Sequence, residues 1–138
     1  MTPDELLGAA LSANEPLAVM DELKAGLPAK ALDTFKRSVH LSDQQVAQLL
    51  QIGGRTLSRS RGTSRKRLPP DISERLFAVA SVYALAIGVF GDTASAFGWI
   101  NEPQFGLAGR TPFTLISSEL GRRQVSSLLQ RIEHGLLA

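Results

Sequence analysis

The cationic side chains of this chain are concentrated in one segment. Between Ile52 and Leu68 the sequence carries six positive charges and no acidic residue, although the formal net charge of the chain is only +2. The cations are Arg55, Arg59, Arg61, Arg65, Lys66 and Arg67. A dense positive patch on an otherwise acidic chain is typical of a site for phosphate groups or for an acidic protein.

Residue types that often carry catalysis are present, but their spacing does not favour catalysis. His40 and His134 are far apart in sequence and the chain has no cysteine, so we expect no metal site. No serine lies in a nucleophile-elbow context, and residues 106–109 lack the lysine of a phosphate-binding loop. Glu133 and His134 are neighbours in sequence, so on a helix their side chains point apart. We therefore expect a binding protein without a cofactor, not an enzyme.

Composition favours a folded cytoplasmic protein. Hydrophobic residues make up 43% of the 138 residues, enough to build one domain or two small ones. The absence of cysteine fits a reducing compartment, and residues 1–5 lack the basic start of a signal peptide. The longest apolar run, Leu76 to Phe90, is too short and too interrupted for a membrane span, so it predicts a buried core helix.

Apolar residues recur at helical spacing and no segment alternates as a strand would, which predicts an all-α fold. Two short helices are expected before residue 28, the second running from Pro16 to Ala25 with Gly26 just past its end, and a further helical segment is expected over 28–39. Asp71 and Glu74 have capping-box spacing at the start of the long helix, which Gly91 should end. The last predicted helices are capped by Asp92 and Thr111, with Gly121 dividing the final two.

Residues 42–61 are predicted to form a helix-turn-helix. Ser42 and Gln45 have capping-box spacing, Gly53–Gly54 marks a turn, and Leu57 should face inward from a second helix over 55–61. A second helix in the major groove would place side chains on base edges and phosphates, and the flanking cations would add salt-sensitive attraction. The predicted DNA-binding residues are Arg55, Thr56, Ser58, Arg59, Arg61, Arg65, Lys66 and Arg67.

One position departs from the usual helix-turn-helix pattern. The residue four after Ala47 is usually glycine, because the chain turns there with positive φ, but here it is Gln51. Gly53 and Gly54 could shift the turn. The departure leaves two alternatives open, a vestigial motif and a basic patch that meets an acidic protein.

The second half of the chain contains several short motifs in a fixed order. They are Ser73-Glu74-Arg75-Leu76, Val89-Phe90-Gly91-Asp92, Trp99-Ile100, Leu107-Ala108-Gly109-Arg110-Thr111-Pro112, Gly121 and Arg131-Ile132-Glu133-His134-Gly135. From about Gly26 to the end, the sequence resembles the Xre/MbcA/ParS antitoxins that partner RES-domain toxins. Ala108, where the family often has a second glycine, and Glu74, where it often has aspartate, are modest departures.

This resemblance implies an antitoxin with a DNA-binding N-terminal region and a C-terminal toxin-binding and dimerisation domain, here placed at 1–67 and 68–138. It implies a homodimer within a larger toxin–antitoxin complex, operator DNA as a second partner, and repression of its own operon. It also implies that the C-terminal segment blocks the active site of a NAD-degrading toxin. The expected toxin-binding residues are Arg110, Arg131, Glu133, His134, Gly135, Leu136, Leu137 and Ala138.

Some assignments have a plainer alternative. Leu136 and Leu137 form an apolar tail that could cover the core of its own chain instead of entering a partner, and Arg110 could anchor its loop instead of contacting the toxin. The alternative to an antitoxin is a stand-alone helix-turn-helix regulator whose C-terminal half serves only dimerisation. A third alternative is an interaction protein that has lost DNA binding.

Overall fold

Helices build most of the described chain. The computed structural model describes residues 1–9, 11, 15–60 and 67–135. These ranges contain nine α-helices and one short 3₁₀ helix, with no strand, so the all-α prediction is confirmed. The α-helices are α1 (Pro3–Leu7), α2 (Pro16–Ala25), α3 (Lys30–Ser38), α4 (Asp43–Leu50), α5 (Gly54–Ser60), α6 (Pro70–Phe90), α7 (Thr93–Ile100), α8 (Pro112–Ile116) and α9 (Glu119–Glu133), and the 3₁₀ helix spans Phe105–Leu107.

The long helix α6 lies at the centre of the fold. It packs against α1, α2 and α4 from the N-terminal half and against α7 and α9 from the C-terminal half. Its side chains Leu76, Val79 and Ala80 are fully enclosed. By length and composition α6 could cross a membrane, but 56% of its most apolar window is buried inside the protein. The apolar run is therefore a core helix, as the sequence predicts.

Two of the predicted caps share one geometry. The hydroxyl of Ser42 accepts a hydrogen bond from the backbone N–H of Gln45 at 3.1 Å, and the Gln45 side chain accepts one from the Ser42 N–H at 2.9 Å. Asp92 accepts from the N–H of Ser95 at 2.7 Å. The hydrogen bonds that Asp92 accepts from the backbone and the hydroxyl of Ser95 favour its ionised form, so they lower the pKa of the Asp92 carboxyl. Each cap satisfies a backbone donor that the helix itself leaves unpaired.

The predicted capping box at the start of α6 is wrong. The helix begins at Pro70, and the residue before it, Pro69, offers no side-chain cap. A proline at the first helical position already has a helical φ and no N–H to satisfy, so the helix begins without a polar cap. Asp71 instead lies in the first turn, where a carboxylate interacts favourably with the helix dipole.

The prediction that Gly121 separates the last two helices is also wrong. The break comes at Ser117–Ser118, and Ser118 caps α9 by accepting a hydrogen bond from the N–H of Gly121 at 3.0 Å. Gly121 lies within the first turn of α9, and a Cβ there would overlap the carbonyl group of Leu115. Glycine is thus required for the close approach of α8 and α9, not for a turn.

A third expectation is corrected near residue 28, where α3 begins only at Lys30. Pro28 instead forms an isolated antiparallel bridge with Arg67, and the N–H of Leu68 donates to the carbonyl of Leu27 at 2.8 Å. The Leu27 N–H in turn donates to the hydroxyl of Ser73 at 2.9 Å. These contacts fix the chain before α6 against the chain before α3, so the helix-turn-helix between them is closed at its base.

Candidate nucleic-acid interface and partner surface

Helices α4 and α5 form the pair that the sequence predicts. Val46, Leu49 and Leu50 bury the inner face of α4, and Leu57 buries the inner face of α5. The N–H of Ile52 donates to the carbonyl of Ala47 at 3.0 Å, which closes the turn directly after α4. The second helix is therefore fixed by one leucine and one tight turn.

The turn between α4 and α5 begins at Gln51, although a residue with a side chain is disfavoured there. Gln51 ends α4 in the left-handed conformation, with φ 54° and ψ 46°, and it lies four residues after Ala47, where the motif usually has glycine. Gly53 and Gly54 are not among the residues with positive φ, so they do not shift the turn. A non-glycine residue in this conformation is strained, and the turn is kept at that cost.

The outward face of α5 carries the predicted base-reading side chains. Arg55, Ser58 and Arg59 are exposed, Thr56 is half-buried, and Ser60 is buried together with Leu57. The helix begins one residue earlier than predicted, at Gly54. Arg61, Arg65 and Lys66 lie outside the described residues. The described part thus presents two guanidinium groups and a hydroxyl on one face of a short helix.

Arg67 has a structural contact that the sequence does not indicate. Its Nη1 donates a hydrogen bond to the carbonyl of Gly26 at 2.8 Å. Gly26 has φ 96°, and a Cβ there would meet the carbonyl oxygen of Leu68. The guanidinium of Arg67 therefore helps to close the base of the helix-turn-helix. Its predicted contact with DNA remains a prediction.

A second arginine, which belongs to the first of the short motifs, supports the pair from behind. Arg75 on α6 donates a hydrogen bond from Nη1 to the carbonyl of Leu50 at 2.8 Å. This carbonyl is in the last turn of α4, where the helix dipole favours a cation. An ion pair of 2.9 Å between Lys36 and Asp43 also ties α3 to the first turn of α4. The two contacts set the position of α4, and hence of α5, on the core.

The predicted toxin-binding residues form two groups. Arg131, Glu133, His134 and Gly135 are exposed at the end of α9, and Gly135 has φ 77°, as expected of a helix stop. Arg110 is exposed on the loop before α8 and lines a hollow with residues near the start of α9. A helix of this length spans about 20 Å, so the two groups lie at opposite ends of α9. Leu136, Leu137 and Ala138 lie outside the described residues.

The start of α9 also carries charged side chains that interact with one another. Glu119 accepts a hydrogen bond from Arg123 at 2.9 Å, and this bond lowers the pKa of the Glu119 carboxyl. Arg122 donates to the carbonyl of Ile116 at 3.0 Å, and its partial burial lowers its pKa. The Arg122 bond holds the end of α8 against α9, whereas the bond between Glu119 and Arg123 lies within α9. Neither bond involves Arg110, whose side chain has no hydrogen-bond or ion-pair partner among the described residues.

Two exposed apolar side chains lie near Arg110 and were not predicted from the sequence. Phe105 in the 3₁₀ helix is 93% exposed and Leu120 in the first turn of α9 is 67% exposed. Leu120 does not lie on the helix face of the buried residues Val125 and Leu128. Its exposure could therefore have been predicted from the spacing of apolar residues in the sequence. Nothing local distinguishes Phe105 from a buried loop residue. Within the described ranges, no cluster of three or more metal-ligating side chains occurs.

Two family models match this arrangement. A model described as the antitoxin Xre-like helix-turn-helix domain matches residues 18–81, and one described as the antitoxin Xre/MbcA/ParS C-terminal toxin-binding domain matches residues 85–135. Both describe binding domains, and the two matches meet within α6. The chain is thus a helix-turn-helix protein joined to a toxin-binding domain, which is the architecture of an antitoxin.

Curated relatives agree over most of the chain. A protein named Antitoxin Xre from Yersinia enterocolitica is 30% identical over 129 residues, which are 93% of this chain and 86% of that protein. Antitoxin Xre of Photorhabdus laumondii is 29% identical over 84% of this chain and 78% of its own length. That of Pseudomonas putida is 36% identical over 59% of this chain and 50% of its own. The chain belongs to the Xre antitoxin family, as its resemblance predicts.

Proposed function

We propose that this antitoxin neutralises a cognate RES-domain, NAD-degrading toxin by direct binding and represses its own operon through its helix-turn-helix. The observation that carries the proposal is the match of residues 85–135 to the toxin-binding domain on a chain similar along nearly its whole length to Antitoxin Xre of Yersinia enterocolitica. Both activities are binding, and both partners, toxin and operator DNA, would be met in the cytoplasm.

Inhibition would come from the C-terminal segment. The last described helix ends at Glu133, His134 is exposed, and Gly135 has the positive φ typical of a helix stop. From there Leu136 to Ala138 would enter the toxin's active site and exclude NAD. Each leucine transferred from water into a closed cleft contributes about 1.5–3 kcal/mol. Arg131 and Glu133 would lie at the rim of that cleft.

Deletion of residues 135–138 tests this mechanism. In cells that co-express the cognate RES-domain toxin, the full chain should restore growth and the deletion should not, because the active site stays open to NAD. A control variant, Leu17→Ala, removes an exposed leucine from α2 and should protect fully. If the deleted chain protects as well as the full one and binds the toxin as tightly, the blocking mechanism is wrong.

DNA binding would be carried by α5. Its exposed Arg55 and Arg59 can each donate two hydrogen bonds to guanine, with Thr56 and Ser58 on neighbouring phosphates. Arg61, Arg65, Lys66 and Arg67 would add non-specific attraction that weakens with salt. The exposed cationic face of α5 supports this role. The contacts of Arg75 and Leu57 that hold the helix pair in place are made within the protein, without DNA.

The operator-binding form would be a homodimer, because a two-fold dimer presents two such helices to the half-sites of a palindrome. A groove of about 770 Å³ between α6 and α9 supports dimerisation. It is lined by cations and carboxylates together with small side chains such as Ala78 and Ser81. A face with charges of both signs can pair with its own copy across a two-fold axis. Sedimentation equilibrium of the isolated chain measures this state directly.

A further inference from the structure

The loop between α7 and α8 has a backbone that is fixed from within. The N–H of Gln104 donates to the carbonyl of Arg110 at 3.1 Å, and the Gln104 carbonyl accepts from the N–H groups of Leu107 and Gly109 at 3.0 and 2.9 Å. The side-chain amide of Gln104 also donates to the carbonyl of Trp99 at 3.0 Å. One residue thus ties both ends of the loop together, so the tip of the loop is held in one conformation.

A phenylalanine projects from this fixed tip. Phe105 is 93% exposed, whereas the other five phenylalanines of the chain are buried or packed against the core. Its ring therefore adds nothing to the folding of its own chain. A large, rigid ring on a preorganised backbone loses little conformational entropy on binding, which is why aromatic residues dominate the energetics of protein interfaces.

The surroundings of Phe105 define the kind of partner. The next residue, Gly106, lines a hollow of about 390 Å³ that also contains Leu107, Leu115, the exposed Leu120 and Arg110. Among the described residues that line the hollow, Arg110 is the only charged one. If this surface paired with a second copy of itself, two arginines without a carboxylate partner would face each other. If it bound DNA, only one cation would meet the phosphates, and the exposed phenylalanine ring would have no apolar partner. The chemistry fits a different protein, with an apolar pocket for the ring and a carboxylate beside it.

We infer that Phe105, Arg110 and Leu120, here named the anchor patch, form a second toxin-binding contact at the opposite end of α9 from the inhibitory tail. The inference rests on the proposed toxin-binding function, since the patch lies within the residues matched to the toxin-binding domain. The anchor patch supplies affinity and the tail supplies inhibition. Neither the short motifs nor the charge pattern of the sequence places a contact at Phe105.

Substituting Phe105→Ala tests the anchor patch without risk to the fold, because the side chain has almost no intramolecular contact. Binding to a catalytically inactive form of the cognate RES-domain toxin, measured by calorimetry, should weaken about 10-fold or more. Phe105→Trp should keep most of the affinity, because a larger aromatic ring can occupy the same kind of pocket. Arg110→Glu should weaken binding as well, by setting a like charge against the toxin's carboxylate.

The matched control is Leu17→Ala, since Leu17 is 74% exposed on α2, outside the toxin-binding match. It should leave toxin affinity unchanged, and none of these variants should alter the melting temperature or operator binding. Equal toxin affinity of F105A and the unchanged chain would overturn the anchor patch, and so would an equal loss in L17A. If the unchanged chain does not bind the toxin at all, the proposed function fails and the anchor patch fails with it.

Discussion

The two binding surfaces are supported in different ways. In the helix-turn-helix, the seven-residue α5 is held by Leu57 and by a turn at the strained Gln51, and its outward residues Arg55 and Arg59 are exposed. In the C-terminal half, the loop before α8 is closed by the hydrogen bonds of Gln104, and α8 packs on α9 without room for a Cβ at Gly121. DNA phosphates attract cations at long range, so a modest scaffold is enough. An apolar anchor is effective only when its backbone is held in place.

The largest expected effect comes from breaking the C-terminal scaffold. Gly121→Ala places a methyl group into the carbonyl of Leu115, so α8 and α9 must separate. We expect the free energy of unfolding to fall by about 3 kcal/mol or more, measured by urea denaturation. Toxin affinity should fall with it, because Arg110 and Leu120 depend on that contact.

Gly88→Ala is the control for that substitution. Gly88 is also helical and a Cβ there would meet nothing within 4 Å, so the change should raise stability by up to about 1 kcal/mol through helix propensity. A result in which G121A and G88A have the same stability would show that close packing of α8 on α9 does not govern the C-terminal half.

A smaller change in stability is expected when one residue of the same backbone conformation is replaced in each of the two regions. Gln51 and Ala108 are both non-glycine residues in the left-handed conformation, with φ 54° and 57°. Replacing either by glycine removes the strain, partly offset by the greater entropy of the unfolded chain, so each should raise stability by about 0.5–1 kcal/mol. Q51G should keep operator affinity and A108G should keep toxin affinity. A loss of stability in either variant, measured by thermal unfolding, would mean that its side chain makes a compensating contact.

The sequence predicts those features that depend on near neighbours. The caps at Ser42 and Asp92, the all-helical pattern and the cationic face of α5 are each set by residues within a few positions of one another. The capping box at Asp71 was a wrong prediction because the spacing of two acidic residues does not report that Pro70 already begins the helix.

Contacts between distant residues could not be predicted in this way. Arg67 with Gly26 and Arg75 with Leu50 join residues 41 and 25 positions apart, and no local pattern indicates either pair. The exposure of Phe105 depends equally on the packing of α7, α8 and α9 around its loop. The cationic face of α5 could therefore be predicted from the sequence, whereas the anchor patch could be recognised only from the fold.

The central claim is that DNA binding and toxin binding reside on separate surfaces, and one double variant tests it most directly. Arg55→Ala with Arg59→Ala should weaken specific operator binding about 30-fold or more, since each bidentate contact to guanine is worth about 1–3 kcal/mol. Toxin affinity, measured on the same preparation at the same salt concentration, should stay within about twofold. The matched control, K24A with K30A, removes two exposed cations elsewhere and should change neither affinity. Unchanged operator binding in R55A/R59A, or a parallel loss of toxin binding, would contradict the account.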